Sequence, residues 1–147
     1  MFESSLYTAI ESHMKQNGYV VLQEFPVGKW SPKRVDLIGI KPGLNELVCI
    51  EVKLKNFCRV LDQAYYRLFF SDYVYIAFPH KYAMYVAERY EETFRKYGLG
   101  LMAVKERVEI LITPQKSAIL NEDYKRYLIK LLYQKLESYK CVEKERE

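Results

Sequence analysis

The stretch Arg34-Val-Asp-Leu-Ile-Gly-Ile-Lys-Pro-Gly-Leu-Asn-Glu-Leu-Val-Cys-Ile-Glu-Val-Lys-Leu54 decides the fold. Arg34 to Ile40 and Leu47 to Leu54 are rich in branched apolar residues, and Lys41-Pro-Gly-Leu-Asn45 between them has the chemistry of a turn. The pattern predicts two neighbouring strands of a meander. In the second strand a period of two places Glu51 and Lys53 on one face and Ile50, Val52 and Leu54 on the other. Asp36 stands near the start of the first strand, which is otherwise apolar. Ionisable groups inside a sheet are costly unless paired or bound to a metal. Two readings follow. The strand lies at an edge with one face in water, or Asp36 and Glu51 ligate a hard cation. In the second case a main-chain carbonyl such as that of Val52 is a third ligand and Lys53 stands beside the attacking water.

Working outward, Phe2, Leu6, Ala9, Ile10 and His13 keep a helical period that stops at Asn17-Gly18, and Tyr19 to Phe25 reads as a strand closed by Pro26. Downstream, Phe57 to Phe70 is a helix and Tyr73 to Phe78 a strand, which implies a parallel crossover. Residues 81–97 predict a second long helix stopped by Gly98. Leu99 to Val104 and Val108 to Thr113 predict two short strands, and Glu122 to about Tyr139 a closing amphipathic helix. The order predicts one α/β domain over residues 1–147, with helices on both faces of a central mixed sheet. Its core covers about residues 1–80, and residues 99–140 add C-terminal strands and a helix.

Composition narrows the chemistry. With 50% apolar and 29% charged residues the chain can build a core. No apolar run reaches a membrane span, and the acidic N-terminus does not fit a signal peptide, so a cytoplasmic protein without membrane attachment is expected. Cys49, Cys58 and Cys141 are scattered, and His13 and His80 are far apart, so neither a disulfide framework nor a zinc site is expected. Any metal is then held by oxygen, which favours magnesium or manganese. Residues 29–59 carry seven bases against three acids, an excess equal to the chain's net +4. Such a concentration suits a polyanionic partner, although it also suits a solvated surface.

The segment Arg34-Val-Asp36-Leu-Ile-Gly and the later Cys49-Ile-Glu51-Val-Lys53, with fourteen residues between Asp36 and Glu51, resemble the PD-(D/E)XK nuclease superfamily. That superfamily includes restriction endonucleases, archaeal Holliday junction resolvases and RecB-type nuclease domains. The likeness covers roughly residues 1–80 and includes the order of elements. Val35 stands where many members have proline. The resemblance implies a restriction endonuclease-like three-layer α/β/α fold and a magnesium- or manganese-dependent deoxyribonuclease. It implies that Asp36 and Glu51 bind the metal and that Lys53 positions or activates water. Members often add an acid on the first helix. Glu3 is preferred here over Glu11, because Glu3 borders the buried stripe and Glu11 points nearly opposite it. RecB-type members carry Gln-x-x-x-Tyr on the helix after the active strand; Gln63 fits the first position, and Arg67 stands at the second with Tyr66 adjacent.

Arg59, Gln63 and Arg67 are spaced i, i+4, i+8, a polar row that could track phosphates or simply face water. Lys33, Arg34, Lys55, Arg59 and Arg67 are the expected contacts to a DNA backbone. The fourteen tyrosines and seven phenylalanines suit either base stacking or packing. Tyr124, Leu128, Leu131, Leu132 and Leu136 of the last helix suit either a homodimer face or a cover for the chain's own sheet. A small domain of this kind would read DNA structure or ends, and the resemblance allows a role in repair, recombination or defence. The alternative is a catalytically silent nuclease-fold subunit for DNA binding or assembly.

Overall fold

A computed structural model describes residues 1–28 and 34–146. A 3-10 turn (Glu3–Leu6) leads into α1 (Tyr7–Gln16), followed by β1 (Val20–Pro26), β2 (Arg34–Lys41) and β3 (Glu46–Val52). Next come α2 (Phe57–Arg67), β4 (Tyr73–Pro79), α3 (His80–Tyr97), β5 (Gly100–Val104), β6 (Val108–Ile112) and α4 (Glu122–Arg146). Every expected element is present, with ends moved by a few residues, except that α4 runs on to Arg146, well past its expected end near Tyr139. The fold is α/β: six strands form one mixed sheet in chain order, with helices on both faces.

β1, β2 and β3 pair antiparallel as a meander. Returning through α2 and α3 then makes β3, β4 and β5 parallel, and β6 closes the sheet antiparallel. β3 therefore lies inside the sheet, which removes the edge-strand reading of its charges.

Two apolar layers hold the sheet. Leu6, Ile10 and Met14 of the N-terminal helical segment pack on Leu37, Val48, Ile50 and Val52. On the other face Val60 and Ala64 of α2, Val86 and Phe94 of α3, and Leu128 and Leu132 of α4 cover Ile38, Cys49, Ile76 and Leu101. α4 thus covers its own sheet: Leu128 and Leu132 are fully buried, and Tyr124 and Leu131 pack partly against the same layer. Buried Asp72 fastens it, accepting from the Leu47 amide at 2.8 Å and pairing with Lys125 at 2.9 Å. Cys49 is core, as its sequence context predicts, and burial pushes its thiol up to about 12, so it stays a neutral thiol.

Candidate active site

The site forms where the ladders around β2 come apart. β2 and β3 pair as far as Leu37 with Ile50, which leaves Asp36 facing Glu51 at the next register position. Beyond that point a side chain replaces the ladder: Asp36 Oδ2 accepts the Val52 amide at 2.8 Å. β1 opens at the same level. Its pairing skips Glu24, opposite Asp36, and Glu24 takes a left-handed φ of 51°. The pleat slips there on both strands, because Leu22 and Phe25 share one face, as do Val35 and Ile38. Left-handed backbone at a non-glycine residue costs of order 1–3 kcal/mol and persists where surrounding structure enforces it. The result is a polar cleft of about 660 Å³ lined by Glu3, Glu24, Asp36, Glu51, Lys53 and Gln63, with Arg34, Lys55 and Arg59 around it.

Glu51 is 2% exposed and is paired with a side chain of the neighbouring helix. Arg67 Nε donates to Glu51 Oε1 at 2.7 Å, and Arg67 Nη2 donates to the Arg34 carbonyl at 3.3 Å. At 3% exposure Arg67 does not offer its charge to a surface ligand, which corrects the expected phosphate-tracking row. The reason is angular: at about 100° per residue, eight residues carry Arg67 about 80° around the helix from Arg59, toward the sheet. Arg59 and Gln63 remain on the cleft, and Tyr66, 63% exposed, holds the surface position next to them.

Lys53 follows the last residue of β3, and its ammonium stands 3.7 Å from Glu3 Oε2. Glu3 lies in the 3-10 turn rather than in α1, which brings it to the cleft. Glu11 is engaged elsewhere, accepting from Gln23. Arg34, Lys55 and Arg59 are exposed, while Lys33 lies outside the described residues. Sequence reasoning missed Glu24 and Tyr7, whose hydroxyl donates to Glu24 at 2.9 Å. Burial and the nearby Asp36 push that hydroxyl well above its ordinary range, so it remains a donor. The three-residue spacing of Leu22 and Phe25 in a strand was the available signal that the pleat breaks at Glu24.

The Glu51 carboxyl is pushed up to about 8, first by burial and then by Asp36, against the opposing pull of Arg67. Among the described residues no set of three or more His, Cys, Asp and Glu side chains converges as a metal cluster. The facing pair Asp36 and Glu51 nevertheless has the chemistry of a divalent-cation site, since a cation would relieve both their repulsion and the cost of ionising Glu51. Between the ordinary carboxylate value of 4.5 and about 8, the folded chain keeps a proton that the unfolded chain has released. Stability therefore falls as pH rises through that window. Thermal unfolding without added metal should show Tm dropping several degrees from about pH 5 to about pH 8, and Glu51→Gln should flatten the dependence.

No family model and no curated protein matches the chain. A solved structure described as the SPO1766 protein of unknown function from Silicibacter pomeroyi is similar in fold. Its TM-score is 0.67 at 19% identity, and the match covers 94% of this chain and 90% of that one. At that identity the likeness concerns the fold alone.

Proposed function

We propose that this chain is a restriction endonuclease-like, metal-dependent deoxyribonuclease that acts at the Asp36–Glu51–Lys53 cleft. The observation that carries the proposal is the opening of the sheet at Asp36, which sets carboxylates of β2 and β3 face to face, with Lys53 just past the end of β3. Asp36, Glu51 and the Val52 carbonyl would hold Mg2+ or Mn2+, which when bound lowers the pKa of water and offsets phosphate charge. Lys53 orients the water and neutralises charge growing on the phosphate oxygens. The water oxygen forms the new P–O bond and gives up a proton to solvent, and the bond to the leaving sugar oxygen breaks as that oxygen takes a proton from solvent. Glu3 holds the Lys53 ammonium at the cleft, and Gln63 positions substrate or water. Glu24, fixed by Tyr7, adds a further acid to the lining.

Arg34, Lys55 and Arg59 grip the DNA backbone, and Lys33 belongs to the same sequence cluster. These contacts bind without sequence information and weaken with salt. Replacing Arg59 with Ala should weaken binding to all DNA sequences alike and reduce the slope of log K against log salt by about 0.9. An unchanged slope would remove Arg59 from the interface.

A second reading, a catalytically silent DNA-binding or assembly subunit, is favoured by one observation. Arg67 already provides Glu51 with a counter-charge, so the pair can persist in the absence of a metal. Cleavage assays with magnesium, manganese or chelator separate the two. Metal-dependent products lost in Glu51→Gln support the nuclease, and salt-sensitive binding without any cleavage supports the silent subunit.

A further inference from the structure

We infer that Arg67 is a built-in second cation, so that the cleft takes one exchangeable divalent ion. The inference rests on the metal-site reading above and specifies its stoichiometry. Arg67 reaches from the end of α2 to the place where β2 and β3 part, and its two donors engage a carboxylate oxygen and a main-chain carbonyl oxygen. These are Glu51 Oε1 at 2.7 Å and the Arg34 carbonyl at 3.3 Å. Carboxylate and carbonyl oxygens are the donors that a hard divalent cation would take. The guanidinium therefore occupies a position with the oxygen donors of a cation site, and at 3% exposure it is fixed there.

Charge points the same way. Once an ion displaces the Glu51 proton, Asp36 and Glu51 bring two negative charges and Arg67 returns one positive, while Lys53 stands 3.7 Å from Glu3 as a separate pair. One divalent ion overcompensates the remaining charge of the facing acids, and a second would lie against a buried guanidinium. With Oε1 bonded to Arg67, Oε2 is the Glu51 oxygen left to meet an exchangeable ion. Arg67 is thus a positioning residue. It orients Glu51 and supplies charge from behind, without itself touching substrate.

The test is to count Mn2+ bound per chain, reading free Mn2+ by electron paramagnetic resonance, for the full chain and for Arg67→Gln and Arg67→Lys. Circular dichroism establishes that each variant is folded. The expected counts are one ion for the wild type, one for Arg67→Lys, which keeps the charge, and two for Arg67→Gln, which removes it. Two ions in the wild type, or one in a folded Arg67→Gln, would overturn the inference and leave the metal site standing. No bound ion in the wild type would overturn the metal-site reading, and the inference with it. If neither variant folds, the wild-type count decides: one ion sustains the inference and two overturn it.

Discussion

Lys53→Ala should slow DNA cleavage by about 10²- to 10³-fold while the dissociation constant for the same DNA changes by no more than about threefold. The large effect is expected because, in the proposed mechanism, the ammonium would act on charge that grows only as the phosphodiester is attacked. The small effect is expected because Arg34, Lys55 and Arg59, which line the cleft, would still bind phosphates in the proposed complex. Misfolding would not account for the loss. Lys53 and its partner Glu3 are 30% and 40% exposed, and such pairs contribute about 0–1 kcal/mol. Single-turnover cleavage together with filter binding separates the two quantities. A variant that cuts at the wild-type rate would remove Lys53 from the mechanism.

At about pH 9, where Glu51 is ionised, Arg67→Met should destabilise the fold by about 3–5 kcal/mol, because it leaves that carboxylate buried without its counter-charge. For a chain of this size that corresponds to a fall in Tm of about 10 °C. The loss should be smaller at about pH 6 than at about pH 9, since an isolated Glu51 escapes the penalty by holding its proton, and its carboxyl is already pushed up to about 8. Adding Glu51→Met should recover most of the stability, because replacing both partners removes both desolvation costs. Denaturant unfolding of the two single variants and the double variant gives the coupling directly. Additive losses would show that the pair at 2.7 Å contributes no coupling energy to the fold. Neither result depends on catalysis, so this experiment tests the site's structure separately from its activity.

The central strands were legible because β2 and β3 are apolar runs around a Pro-Gly turn, and because a strand, a helix and a strand in succession force a parallel return. Asp36 and Glu51 were legible for a related reason: a charge in such a run stands out against its neighbours. Arg67 was misread because its spacing from Arg59 and Gln63 resembles a surface row. Which side of a helix faces the sheet is set by its packing, and a long arginine can reach the interior from the flank of that side. Glu24 was missed because the opening of β1 comes from strand pairing between distant residues, and only the spacing of Leu22 and Phe25 hints at it locally. Helical angles favour Glu3 over Glu11, yet Glu3 reaches Lys53 from a 3-10 turn, a geometry that a continuous-helix reading does not contain.

Cleavage of labelled duplex, single-stranded, flapped and four-way-junction DNA, with Mg2+, Mn2+ or chelator and with Glu51→Gln alongside, tests the central claim most directly. Products that require the metal, disappear with chelator and are absent in Glu51→Gln are the expected result. Cleavage that survives in Glu51→Gln, or no cleavage of any substrate by a wild-type chain that still binds DNA, would contradict it.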